Sequence, residues 1–71
     1  MKFAEYSDVQ LTTDKYLHRG VSAGAIGTIL EIWNDGEAYE VDFSDSEGTT
    51  IACFAVLEDE LMAYSEGDQQ D

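Results

Sequence analysis

Proline is absent from this 71-residue chain, cysteine and histidine occur once each, and three lysines and arginines stand against sixteen aspartates and glutamates. Each shortage excludes something. A lone Cys53 cannot form an intramolecular disulfide, and a reducing compartment suits it best. With one cysteine and one histidine, no spacing of metal ligands exists, so neither a metal nor another cofactor is expected. The longest apolar run, Ile51 to Leu57, is far too short to span a bilayer, and nothing after Met1-Lys2 resembles a signal peptide. These features predict a cytoplasmic protein without a membrane partner. The shortage of cations argues against a nucleic-acid partner, because a formal charge of −13 repels phosphate backbones.

The charge is unevenly placed. Residues 1 to 30 set Lys2, Lys15 and Arg19 against Glu5, Asp8 and Asp14, and are neutral. Residues 31 to 71 hold thirteen acids and no lysine or arginine. Such a field speeds encounter with cationic proteins. At this length a single core is only marginally sufficient, so one domain is expected over residues 1–65, with an acidic, disordered tail at 66–71. A homodimer would suit that size, and a deep enzymatic pocket would not.

What is present reads as β-structure. Residues 8 to 13 alternate apolar and polar in a β-favouring composition and form a first strand. Asp14 to Gly20 is a loop carrying Lys15, His18 and Arg19. Gly24 and Gly27 serve tight backbone geometry or a bulge. They do not make a phosphate cradle, since no helix follows and no GxGxxG or Walker pattern is present. Strands follow at 26–33 and 38–43. Ser44 to Gly48 is a polar connection, and 49–55 is a fourth strand, apolar on both sides. Leu57 and Leu61, four apart around three acids, suit one helical turn pinning both leucines into the core. Residues 62–64 close as a fifth strand. The pattern predicts an all-β chain: a small five-stranded SH3-like barrel with one short helical turn before the last strand. A five-stranded OB-type barrel is the alternative, but residues 44–48 leave no room for its helix.

The stretch Gly24 to Phe43 carries the most information. Asp35-Gly36 between two apolar runs signals a hairpin with a two-residue type I′ turn. That register pairs Asn34 with Glu37, Ile32 with Tyr39, Leu30 with Val41 and Thr28 with Phe43. Leu30, Ile32, Tyr39, Val41 and Phe43 then share the core face. The outer face receives Glu31 opposite Glu40 and Ile29 opposite Asp42, with Trp33 near the tip. Directly opposed like charges cost about 0.2–1 kcal/mol, which solvent or a basic partner must relieve. Ile29, Glu31, Trp33, Asp35, Glu37, Glu40 and Asp42 are therefore the candidate partner-binding residues, with Trp33 an aromatic anchor in an acidic ring. The alternative for Trp33 is packing against a neighbouring loop.

Other candidates reduce to simpler readings. His18 has no nucleophile beside it and reads as an exposed loop residue. Cys53, amid Ile51, Ala52, Phe54 and Ala55, reads as buried and inert. Asp42, Asp45 and Glu47 could surround a hard cation, but their spacing fails the EF-hand loop, and a solvated acidic loop is favoured. No catalytic residues are assigned.

The strand Gly24-Ala25-Ile26-Gly27-Thr28-Ile29-Leu30-Glu31-Ile32, the hairpin Asp35-Gly36-Glu37-Ala38-Tyr39-Glu40-Val41-Asp42-Phe43 and the segment Leu57 to Leu61 together resemble domain-of-unknown-function family 4926 over roughly residues 7 to 64. That resemblance implies a small bacterial SH3-like protein encoded beside a larger one, with an antitoxin or immunity role. It brings no catalytic residues. The chain is similar also to the KOW motif of ribosomal and transcription-factor barrels, but lacks that motif's basic loops. The expected function is a small acidic protein-binding module that neutralises a basic cognate protein, such as a toxin or nuclease. The alternative is a structural accessory domain or subunit that stabilises an enzyme complex.

Overall fold

A computed structural model describes residues 2–65; the expected acidic tail lies outside the described residues. Five strands, β1 (Asp8–Leu11), β2 (Ile26–Trp33), β3 (Ala38–Ser44), β4 (Thr50–Leu57) and β5 (Leu61–Ala63), form one antiparallel sheet in the order β4-β3-β2-β1-β5. A short 3-10 turn, Leu17–Arg19, lies in the loop after β1, and a second, Glu58–Glu60, links β4 to β5. The all-β class, the five strands and the helical turn before the last strand match the sequence reading. The sheet is open where a barrel was expected: no ladder joins β4 to β5, because the second turn delivers the three-residue β5 to β1. Among the described residues, no helix is long and apolar enough to cross a membrane.

The hairpin keeps the expected register only near its tip. Trp33 pairs with Ala38, Ile32 with Tyr39 and Glu31 with Glu40. The turn is longer than two residues. Asn34, Asp35 and Gly36 all take positive φ (50°, 60° and 106°), and the N–H groups of Gly36 and Glu37 both donate to the Trp33 carbonyl, at 3.1 and 3.0 Å. Below the tip a bulge at Leu30 shifts the pairing by one, so that Ile29 faces Val41, Thr28 faces Asp42 and Gly27 faces Phe43.

This bulge reverses two sequence assignments. Ile29, expected on the outer face opposite Asp42, is fully buried; Leu30, expected in the core, is exposed. Strand alternation explains the exchange, because one extra residue turns every preceding side chain to the other face. An unbroken register would have put Thr28 against Phe43 in the core. With the bulge, Thr28 faces outward and its hydroxyl bonds Asp8 Oδ1 at 3.2 Å, while Gly27 takes the inner position. No side chain fits there: a Cβ on Gly27 would lie 2.5 Å from Val41 Cγ1 and 2.9 Å from the Asp42 carbonyl oxygen. Gly27 is thus required by close approach, and the bulge itself needs no glycine.

The core gathers on the inner face. It contains Val9 and Leu11 of β1, Ile29 of β2, Tyr39, Val41 and Phe43 of β3, Phe54 and Val56 of β4, and Leu61 of β5. Two flanking segments complete it. Phe3, ahead of β1, is buried and meets the Tyr39 ring edge-on at 5.4 Å. Tyr6 N–H donates to the Ile29 carbonyl at 2.6 Å, and Ile29 N–H to the Ser7 carbonyl at 3.0 Å, so the N-terminal segment adds backbone bonds beside the bulge. Val21, in the segment between the first 3-10 turn and β2, is the second flanking contribution to the core. Leu61 is pinned as expected, but Leu57 is exposed. It sits in β4 rather than in the turn, and a 3-10 turn does not stack residues four apart as an α-helix would.

Candidate functional site

Strand alternation gives β2, β3 and β4 a second, solvent-facing side with a simple row order. Nearest the hairpin tip, Trp33, Ala38 and Leu57 are aligned across the three strands. Glu31, Glu40 and Ala55 form the next row, and Thr28, Asp42 and Cys53 the third. Trp33 and Leu57 are each 44% exposed, so the tip row is an apolar strip open to water. Leu30, at the bulge beside Glu31, adds to it. The strip is bordered by acids, with Asp35 and Glu37 in the tip loop exposed and Glu31 directly opposite Glu40.

Of the β3 carboxylates, Asp42 leans toward β4 and Glu40 bridges β2 and β4. Glu40 Oε2 accepts from Cys53 Sγ at 3.6 Å, and its Oε1 accepts from Trp33 Nε1 at 3.4 Å. Asp42 Oδ1 accepts from the Thr50 hydroxyl at 3.0 Å. At the tip, Asn34 Nδ2 donates to Glu37 Oε1 at 3.0 Å. None of these bonds supplies a cation. The three basic side chains are held elsewhere: Lys2 over the Phe3 ring, Arg19 over the Phe54 ring with Cζ 4.3 Å from its centre, and Lys15 on Glu60. Lys15–Glu60 is the only ion pair among the described residues.

Six of the seven sequence-proposed contact residues therefore lie on this face or its tip: Glu31, Trp33, Asp35, Glu37, Glu40 and Asp42. Ile29 does not, for the reason given by the bulge. Sequence reasoning missed Leu30 and Leu57 as members of the strip, and it misplaced Cys53. That thiol is exposed, because Ala52, Phe54 and Val56 are the positions that turn inward and the outer side of β4 is uncovered. Partial shielding from water, then the charges of Glu40 and Asp42, push the Cys53 thiol above its ordinary value. It is thus a weak nucleophile at neutral pH despite being exposed.

Two other carboxylates do structural work that the sequence did not reveal. Glu60, only 8% exposed, accepts from the Tyr16 hydroxyl (2.6 Å) and the Leu57 N–H (3.0 Å) on Oε1, and from Lys15 Nζ (2.9 Å) on Oε2. Burial pushes its carboxyl up, but Tyr16, Leu57 and Lys15 outweigh burial and hold it below the ordinary value. Burial, then the bond to Glu60, pushes Tyr16 from 10.0 to about 12. Glu58 Oε2 accepts from the Tyr39 hydroxyl at 2.5 Å and the Lys2 N–H at 2.8 Å, and these bonds lower its pKa. The only side-chain signal for Glu60 in the sequence is its place three residues after Leu57, the reach-back position of a helix start.

An open groove of about 470 Å³ lies between Gly20, Val21, Gly24, Ile26, Asp45 and Ile51. Its carboxylate, Asp45, is engaged in its own turn, with Oδ1 accepting from the N–H groups of Glu47 (2.9 Å) and Thr49 (3.0 Å). His18 is exposed in the first 3-10 turn.

The family model described as a domain of unknown function, DUF4926, matches residues 5–63. This chain belongs to the DUF4926 family. The match runs from just before β1 to the end of β5, so the DUF4926 unit contains the whole described sheet and both faces of the hairpin. Neither a curated protein nor a solved structure matches this DUF4926 chain.

Proposed function

We propose that the chain is a protein-binding module whose outer sheet face covers a basic, partly apolar site on a cognate protein, in the manner of an antitoxin or immunity protein of a bacterial cell. One observation carries this reading: Glu31 and Glu40 are held directly opposite each other, without a cation, beside the exposed row Trp33, Ala38 and Leu57. A like-charged pair next to an exposed indole is unfavourable in the isolated chain, and a partner bringing lysine or arginine relieves it. Charged residues in such an interface steer association, while an aromatic anchor supplies much of the contact energy.

The activity is recognition, without a reaction, cofactor or nucleic acid, and it takes place in the cytoplasm. The test is affinity capture from the source cell with the wild-type chain, Trp33→Ala and the Glu31→Gln/Glu40→Gln double variant in parallel. A stoichiometric partner retained by the wild type, lost by both variants and released as salt rises is the expected result. A partner retained equally by all three chains, or indifferent to salt, would fit a structural subunit and contradict the proposal.

A further inference from the structure

We infer that the partner docks by adding an extended strand, basic at alternate positions, to the free edge of β4. This rests on the reading of the outer face as a surface for a basic partner and specifies how that partner is held. Among the described residues, β4 pairs with one strand only, β3. Its eight residues, Thr50 to Leu57, contain no charge and no proline. Edge strands are normally blunted by such residues, by shortness or by a covering segment, because an open edge invites another strand. The opposite edge, β5, has only three residues. A bulge interrupts the β3 ladder near Ile51, and the Leu57 N–H is taken by Glu60, so the open stretch of β4 among the described residues is its middle, around Cys53 and Ala55.

The direction of the backbone groups follows from one bond. Leu57 N–H donates to Glu60 Oε1 and so points away from β3. In an antiparallel ladder the N–H and C=O of alternate residues point the same way, so Cys53 and Ala55 present theirs to the open edge with Leu57. Main-chain bonding to such a row is how extended segments are captured by β-strand addition.

The chemistry of the incoming segment follows from its neighbours. Outward-facing residues of an added strand would lie beside Cys53 and Ala55, two small side chains, with Glu40 and Asp42 one strand further in. The separation is two strand spacings, about 10 Å. Each carboxylate already has one oxygen on β4, Glu40 Oε2 through Cys53 and Asp42 Oδ1 through Thr50, while Glu40 Oε1 holds Trp33 of β2. A lysine or arginine on the added strand can thus cross the small residue and meet a carboxylate, whereas an acidic strand, including a second copy of this strongly acidic chain, would meet repulsion.

The test uses the full chain labelled with ¹⁵N and a synthetic peptide alternating arginine and valine, at low salt. A second peptide of the same sequence, N-methylated at alternate amides, keeps the charge but cannot extend the ladder. The expected result is slowed amide exchange at Cys53 and Ala55 with the first peptide, absent with the second. Ala55→Pro should abolish it too, since the lost N–H is one that points away from β3 and edge strands accept proline there. If Ala55→Pro does not fold, the two peptides still decide the question. Equal binding of both peptides, with shifts confined to Glu31 and Trp33, would overturn strand addition while leaving the acidic face as a binding surface. Failure of both peptides to bind would overturn both readings. Slow exchange at Cys53 and Ala55 in the peptide-free chain, sedimenting as a dimer, would assign the edge to a second copy and overturn the basic-strand inference.

Discussion

The carboxylates of this chain fall into two groups with opposite surroundings. Glu60 sits under the sheet end and receives three donors, from Tyr16, Leu57 and Lys15. Glu31 and Glu40 stand on the outer face opposite each other, without a lysine or arginine between them. The residue type is the same, but Glu60 is bound into the fold by short bonds that include a cation, whereas Glu40 receives only the long bonds of Trp33 and Cys53 and no cation. Net charge alone conceals this division. The acids that stabilise the chain and the acids available to a partner are different residues, so substitutions should separate the two roles.

Removing Glu60 should have the largest effect on stability. Glu60→Ala leaves the Tyr16 hydroxyl and Leu57 N–H without their acceptor and releases Lys15, and should cost about 2–3 kcal/mol, read as a lowered denaturation midpoint with an unchanged slope. Its pH dependence has a definite sign. Because the folded Glu60 carboxyl is held below its ordinary value, its contribution is complete above the unfolded carboxylate range and is lost as pH falls through the depressed folded value. Glu60→Gln should therefore flatten the acid limb of the stability curve relative to the wild type.

The alkaline side of the same cluster behaves in the opposite sense. Tyr16 is raised from 10.0 to about 12, so its contribution is complete below the unfolded value and is lost as pH rises between the two. Tyr16→Phe should remove that loss in an alkaline denaturation series, at the cost of one hydrogen bond at neutral pH.

On the outer face the effect on stability should be small and reversed. Glu31→Gln relieves the opposition to Glu40 and should stabilise the chain by about 0.2–1 kcal/mol in chemical denaturation at low salt. Trp33→Ala, at an exposed position, should leave stability within about 0.5 kcal/mol of the wild type while abolishing capture of the partner. A marked loss of stability in either variant would place these residues with Glu60 and remove the distinction.

How far the sequence reveals this arrangement depends on the range of the interactions that decide it. Asp35-Gly36 and the alternating runs beside it are local, and they are enough to place β2, β3 and the Glu31–Glu40 opposition. The exchange of Ile29 and Leu30 is not local. It is set by the fit of Gly27 against Val41 and Phe43 and by Tyr6 and Ser7 bonding to Ile29, contacts that a strand pattern does not encode. Leu57 reads as a turn residue because its spacing to Leu61 suits a helix, and Cys53 reads as buried because β4 is apolar on both faces, which resembles a strand covered twice. Here it is covered once, and the apolar outer side is open. Glu60 escaped notice because Tyr16 and Lys15 lie 44 and 45 residues away in the chain. Of the candidate surface, the acids and Trp33 were legible from the hairpin register, whereas Leu30, Leu57 and the free edge needed the sheet order.

The claim that the outer acids serve a partner is tested most directly by the salt dependence of association of the arginine–valine peptide with the wild type and with Glu40→Gln/Asp42→Asn. The account predicts an association rate that falls steeply as ionic strength rises for the wild type, and a slower association with a shallower salt dependence for the double variant. Identical slopes for the two chains would contradict it.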